Sequence, residues 1–135
     1  MPDTAVSRTL EERDRSFQYL NFTYNLAAFG NADVLTDYPL DFYGEIVEWR
    51  IAVGTPATGA GATITLNLEI NAVAVTGEER IFTLANGATL GTVFTMTPTG
   101  ANIFNPDDTL SIIGTTSTVF TAGTIIITIV LRPLS

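Results

Sequence analysis

One stretch, residues 44–71, constrains the fold of this chain more than any other. In its second half, ATITLNLEIN, polar side chains alternate with large apolar ones, which occupy every second position: Ile64, Leu66, Leu68 and Ile70. An extended chain directs successive side chains to opposite faces, so a period of two indicates a β-strand with one buried face and one wet face. The segment therefore predicts a strand in a layered β-protein.

The first half of the stretch, EIVEWRIAV, repeats the alternation. One face carries Val47, Trp49, Ile51 and Val53. Between the halves, residues 54–61 (GTPATGAG) are rich in glycine and include a proline, which favours a turn over continued pairing. We interpret the two halves as strands that cover one side of a β-sandwich, with Trp49 in its core.

The rest of the chain extends this pattern to about eight strands. Residues 17–26 predict a first strand with Leu20, Phe22, Tyr24 and Leu26 facing inward. Residues 34–40 predict a weaker strand, which Pro39 restricts to a sheet edge. Short strands at such spacing predict an all-β fold, an antiparallel β-sandwich of jelly-roll type.

Residues 1–16 differ in composition from the rest of the chain. Apart from Met1 and Val6, their only large apolar residue is Leu10. We interpret them as a short N-terminal arm before a domain spanning 17–135. Two readings stay open: a frayed end, or an arm that becomes ordered on a neighbouring subunit. In the second reading, Arg8, Arg13 and Arg15 would pair with carboxylates of that subunit.

The last strand, residues 124–132, is apolar on both faces, because Ile126 and Val130 lie opposite the inward-facing residues of the strand. Such a strand needs cover on both sides, from the arm or from another subunit. The preceding stretch, TSTVFTAG, is predicted to be a loop with an apolar tip. Its Phe120 either folds back onto the sandwich or contacts another subunit.

Composition argues against several classes of function. The chain has no histidine, cysteine or lysine, so the usual Ser-His, Cys-His and lysine-based nucleophile systems cannot be assembled. Its net charge of −8 disfavours binding to free nucleic acid. No apolar run is long enough to cross a bilayer, and the N-terminus does not resemble a secretory signal, so we expect a soluble chain made in the cytoplasm.

The remaining candidate sites are weak, and we expect no catalytic residue, metal or cofactor. Paired carboxylates for glycoside hydrolysis are limited to Glu45 with Glu48, Glu78 with Glu79, and Asp107 with Asp108. Glu78 and Glu79 fall in a predicted polar turn, residues 76–79. Asp107 and Asp108 could contribute to a Ca²⁺ site, but capping of turn amides is the simpler role. Tyr38 and Tyr43 are the candidates for a sugar-binding platform.

From Tyr38 to Leu131, the pattern resembles a β-sandwich module of tailed-bacteriophage structural proteins, chiefly capsid decoration (cement) proteins and head-fibre domains. The similarity lies in the strand, turn and strand YGEIVEWRIAVGTPATGAGATITLNLEIN, followed by LANGATLGTVF, NPDDTLSI and AGTIIITIVL. The turn after Val53 matches the family pattern. The glycine-aspartate turn that is usual near the end of the module is replaced here by residues 105–108, NPDD.

This resemblance implies a homotrimer on the outside of an icosahedral phage head. There it would bind the major capsid protein and stabilise neighbouring capsomers, and its final location would be the virion surface. A phage tail or fibre component and a carbohydrate-binding module remain the alternatives. The expected contact residues are Arg8, Arg13, Arg15, Phe120, Ile126 and Val130.

Overall fold

The computed structural model of the chain describes residues 17–29 and 32–134. Within them lie ten strands and one short 3-10 turn, Leu26–Ala28. The strands are β1 (Gln18–Asn25), β2 (Ala32–Pro39), β3 (Gly44–Thr58), β4 (Thr63–Ile70), β5 (Val73–Ala74), β6 (Arg80–Thr83), β7 (Val93–Met96), β8 (Ile103–Phe104), β9 (Thr109–Thr118) and β10 (Ala122–Pro133). The predicted arm, residues 1–16, lies outside the described residues. The division of the chain into arm and domain therefore stays a prediction.

The strands form two antiparallel five-stranded sheets packed face to face. Sheet A has the order β1-β10-β3-β7, with β8 also pairing with β3; sheet B has the order β2-β9-β4-β5, with β6 also pairing with β4. The chain passes repeatedly between the sheets, as in a jelly roll. The predicted all-β, jelly-roll-like sandwich is confirmed, with two strands of only two residues, β5 and β8, raising the count above eight.

The prediction that the strands of residues 44–71 cover one side of the sandwich is wrong. β3 lies in sheet A between β10 and β7, whereas β4 lies in sheet B between β9 and β6. β3 continues through Gly54 and Pro56 to Thr58 because its end still pairs with β10, so only residues 59–62 turn. That short turn carries the chain from one sheet to the other.

The alternation itself is confirmed in β4, whose four apolar side chains are all buried. In β3 it holds from Trp49 to Val53 and fails before it. A bulge opposite Val130 and Leu131 shifts the register, so Ile46 is buried where Val47 was expected. An extra residue in one strand reverses the faces on one side of it.

The core between the sheets is filled by aromatic and branched side chains. Trp49 is fully buried, and its Nε1 donates a hydrogen bond to the carbonyl oxygen of Glu78 (3.1 Å). Phe82 packs against Phe94 and Phe120, with ring centroids 6.1 and 6.0 Å apart. The inward-facing residues predicted for the first strand also border this core.

The predicted first strand, residues 17–26, and the predicted edge strand, residues 34–40, are both confirmed. β1 covers most of residues 17–26 and β2 most of residues 34–40. Among the strands that the structure describes, β2 pairs with β9 alone and forms an edge of sheet B, with Pro39 as its last residue. In the described part of the chain, no helix is long and apolar enough to span a bilayer.

Candidate interaction surface

The outer face of sheet A is the surface on which sequence analysis placed Ile126 and Val130. Strand pairing aligns Thr23 of β1, Ile126 of β10, Ala52 of β3 and Val93 of β7 in one row across the sheet. We call these four residues the neutral row. None carries a charge, although the chain as a whole has a net charge of −8.

Next to the neutral row, polar side chains on this face form hydrogen bonds with one another. Thr128 Oγ1 donates a hydrogen bond to Asn21 Oδ1 (2.7 Å), and Arg50 Nε donates to Glu48 Oε2 (2.6 Å). The pairing of Arg50 with Glu48 cancels their charges. The outer face of sheet A therefore presents little net charge to an approaching molecule.

Ile126 and Val130 differ in what they can offer. Ile126 is 37% exposed in the neutral row, and Val93, on the other side of Ala52, is 54% exposed. Val130 is only 3% exposed, because it lies between Tyr19 and Glu48 in the register of the sheet. Of the two, Ile126 has side-chain surface available for contact with another molecule.

Phe120 lies in the core and not at the tip of a loop. β9 and β10 extend farther than predicted, so the loop shrinks to residues 119–121. The side chain of Phe120 is 2% exposed and packs on Phe82, whereas its neighbour Val119 is 52% exposed. Of the two readings of Phe120, the structure shows the one in which it folds back onto the sandwich. The other predicted contact residues, Arg8, Arg13 and Arg15, lie outside the described residues.

Several of the acidic residues singled out in the sequence make structural contacts. Asp108 Oδ2 accepts a hydrogen bond from the amide of Asn105 (2.7 Å), and its Oδ1 accepts one from Asn71 Nδ2 (2.8 Å). These bonds lower the pKa of Asp108 below its usual value. Glu45 forms an ion pair with Arg132. Within residues 17–29 and 32–134, no three acidic side chains are grouped as a metal site would require.

Tyr38 and Tyr43 have separate environments. The ring of Tyr38 is half-buried and packs edge-on against Phe22, with centroids 5.6 Å apart. Tyr43 is 43% exposed. Because the ring of Tyr38 is engaged in the sandwich, Tyr43 is the more accessible of these two candidates for a sugar-binding platform.

The most unusual ionisable group, Glu78, was expected in a polar turn. Its side chain is 1% exposed, and Oε1 accepts a hydrogen bond from the amide of Leu68 (3.3 Å). Oε2 has no hydrogen-bond partner among the described residues. Burial raises the pKa of Glu78 from 4.5 to about 7. Nothing in the surrounding TGEER sequence signals this burial, which follows from the position of the turn against Trp49.

No protein-family model matches the chain, and no curated protein matches it significantly. Solved structures share its fold at low sequence identity. A chain of the cyanophage Pam1 capsid asymmetric unit is 14% identical, with 88% of this chain and 86% of that chain covered and a TM-score of 0.56. A chain of the Ralstonia phage GP4 capsid is 14% identical, with 89% and 86% covered and a TM-score of 0.48.

A structure of another class also aligns. The Agl-KA catalytic domain is 12% identical, with 90% of this chain but 27% of that chain covered and a TM-score of 0.45. At such identities, similarity concerns the fold and not the activity. The chain shares its β-sandwich with a protein of a bacteriophage capsid.

Proposed function

We propose that this chain is a structural protein of a bacteriophage virion, and more specifically a decoration protein that binds the outside of the head as a homotrimer. The proposal rests on the similarity to the Pam1 capsid chain, which extends over most of both chains. The phage-module pattern between Tyr38 and Leu131 points in the same direction. On this proposal the partner is the major capsid protein, the location is the capsid surface, and synthesis takes place in the host cytoplasm.

A rigid sandwich with one weakly charged face suits this role. Two copies of an acidic protein repel each other unless their contact avoids like charges. The neutral row provides such a contact around Ile126 and Val93, which are both partly exposed. We therefore assign the outer face of sheet A to the contact between subunits of the trimer.

Stabilisation of the shell then follows from mass action. A protein that binds the assembled lattice but not free capsomers shifts the equilibrium toward the lattice. Three linked subunits bind more tightly than one, because each attachment raises the effective concentration of the others. We assign attachment to the shell to residues 1–16, with Arg8, Arg13 and Arg15 as partners for carboxylates.

The decisive experiment is co-sedimentation of the purified chain with phage heads that lack it. We expect the chain to sediment with the heads, and a chain lacking residues 1–16 to stay in the supernatant while keeping its circular dichroism spectrum. Absence of the full chain from the head pellet would overturn the decoration role, and equal occupancy by both chains would exclude the arm from attachment.

The subunit contact is tested by solution mass measurement. We expect a trimer for the natural chain and a smaller species for Ile126→Asp, which adds like charges at the neutral row. Thr115→Asp, an exposed position on the outer face of sheet B, serves as the matched control and should remain trimeric. A monomer for the natural chain would count against the trimer, and an unchanged mass for Ile126→Asp would remove the neutral row from the contact.

A further inference from the structure

The edge of sheet A formed by β1 lacks the features that normally prevent strands of different molecules from pairing. β1 pairs with β10 over all eight residues from Gln18 to Asn25 without a register shift. Its sequence, QYLNFTYN, contains no charge, proline or glycine. No described strand pairs with the opposite side of β1, so within residues 17–29 and 32–134 its outward backbone amides and carbonyls are available to another strand.

The other edges of the sandwich are short or protected. At the β2 edge, two register shifts interrupt the pairing with β9, Asp37 has a positive φ of 50°, and Pro39 lacks an amide donor. β7 and β6 have four residues each, and β5 and β8 only two. Among the described strands, β1 alone offers a long, regular edge.

The side chains of β1 fit a second copy of the same strand. Its outer face is polar and uncharged, so two acidic chains can approach there without repulsion between like charges. Its inner face carries Leu20, Phe22 and Tyr24, which are only partly buried because the core ends beside them. A second β1 would place the same three side chains next to them and continue the apolar layer.

We propose that β1 pairs antiparallel with β1 of a second copy, around a two-fold axis perpendicular to sheet A. Directly opposite residues in an antiparallel pair point to the same face, so this symmetry joins odd positions to odd and even to even. In a register centred on Asn21, that residue faces its own copy, and Leu20 faces Phe22 of the second copy. The two A sheets then form one continuous sheet.

This contact is independent of the proposed function. The neutral row would join subunits through the face of sheet A, whereas the β1 contact uses the edge of the same sheet. Solution mass separates the outcomes: a homotrimer forms without β1 pairing, a dimer forms by β1 pairing alone, and a species larger than a trimer forms when both contacts are made.

Single-cysteine variants test the contact directly, because the natural chain contains no cysteine. Opposite residues in an antiparallel pair have a Cα separation of about 4.5–5.5 Å, which suits a disulfide. Under mild oxidation we expect Asn21→Cys to form a disulfide-linked dimer about tenfold more than Thr115→Cys, a control on the central strand β9. If the register is centred on Phe22, residue 21 faces residue 23 of the second copy. A mixture of Asn21→Cys and Thr23→Cys would then form the disulfide, and this result also supports the proposal.

A second variant measures the non-covalent contact. In the register centred on Asn21, Asn21→Lys places two ammonium groups opposite each other, and we expect it to raise the dissociation constant of the β1-paired species about fivefold in sedimentation equilibrium. Thr115→Lys should leave that constant unchanged. The proposal is overturned if neither Asn21→Cys alone nor its mixture with Thr23→Cys cross-links better than the control. It is also overturned if Asn21→Cys cross-links to its own copy but Asn21→Lys and Thr115→Lys associate equally well with unchanged far-UV spectra.

Discussion

Replacing Glu78 by glutamine should make the protein more stable at neutral and basic pH. The carboxyl group is buried beside Trp49, with one oxygen bonded to the amide of Leu68 and the other without a described partner. Ionisation places a negative charge in this apolar surrounding, whereas glutamine is neutral at every pH. Glutamine also keeps the acceptor for the Leu68 amide and nearly the same volume.

The size of the effect follows from the pKa of Glu78, which burial raises from 4.5 to about 7. An acid whose pKa is raised in the folded state does not destabilise the fold at pH values below its pKa in the unfolded state, because it is protonated in both states. Its penalty grows as the pH rises from 4.5 to 7 and is then constant. Linkage gives a loss of about 1 kcal/mol near pH ~5.5 and about 3 kcal/mol near pH ~8.5.

Urea unfolding of the natural chain and of Glu78→Gln, each at both pH values, measures this change. We expect the stability advantage of the variant to grow by about 2 kcal/mol between the two pH values. Glu79→Gln, at the exposed neighbouring position, is the matched control and should show no such growth. Parallel pH profiles for the natural chain and Glu78→Gln would refute a raised pKa at this residue.

Three further substitutions, measured by thermal or urea unfolding, test a strained turn, a buried hydrogen bond in the core and a close backbone approach. Ala72 has a φ of 65° in the turn after β4, so Ala72→Gly should stabilise the protein by about 0.5–1 kcal/mol, and a loss of stability would contradict strain at this turn. Trp49→Phe removes the hydrogen bond to the Glu78 carbonyl as well as core volume and should cost about 2 kcal/mol; a cost near zero would show that this bond contributes little. Gly123 has a φ of 121°, and an added Cβ would lie 2.8 Å from Ala57 Cα, so Gly123→Ala should cost about 2 kcal/mol or more, and an unchanged midpoint would contradict this close approach.

Local alternation was sufficient to predict the strands but not their partners. In β4, a wet face and a buried face alternate without interruption, so periodicity alone identified every buried residue. In β3, a bulge between Ile46 and Trp49 reversed the expected faces, and no turn residue marks it. The sheet that a strand joins depends on contacts between residues far apart in sequence, such as the pairing of Trp49 with Ile129. A local pattern of side chains does not predict such contacts.

The candidate surface was predictable in part. An apolar residue on the wet face of a strand stands out in sequence, which is why Ile126 was found. The burial of Val130 depends on its neighbours Tyr19 and Glu48, and that of Phe120 on the extra length of β9 and β10. Glu78 was missed because its burial is set by Trp49, which precedes it by 29 residues.

The central position of β10 has a consequence for how the molecule is made. Sheet A cannot close until β10 has been synthesised, since β10 lies between β1 and β3 and bonds to both. Gln18 of β1 cannot pair until Leu131 has been synthesised, and until then β1 lacks β10, its partner in sheet A among the described strands. Folding dominated by such distant pairings is slow. A nascent chain that stalls before residue 122 would leave the edges of β1 and β3 that face β10 unpaired. We expect chaperones to bind most strongly during this stage of translation.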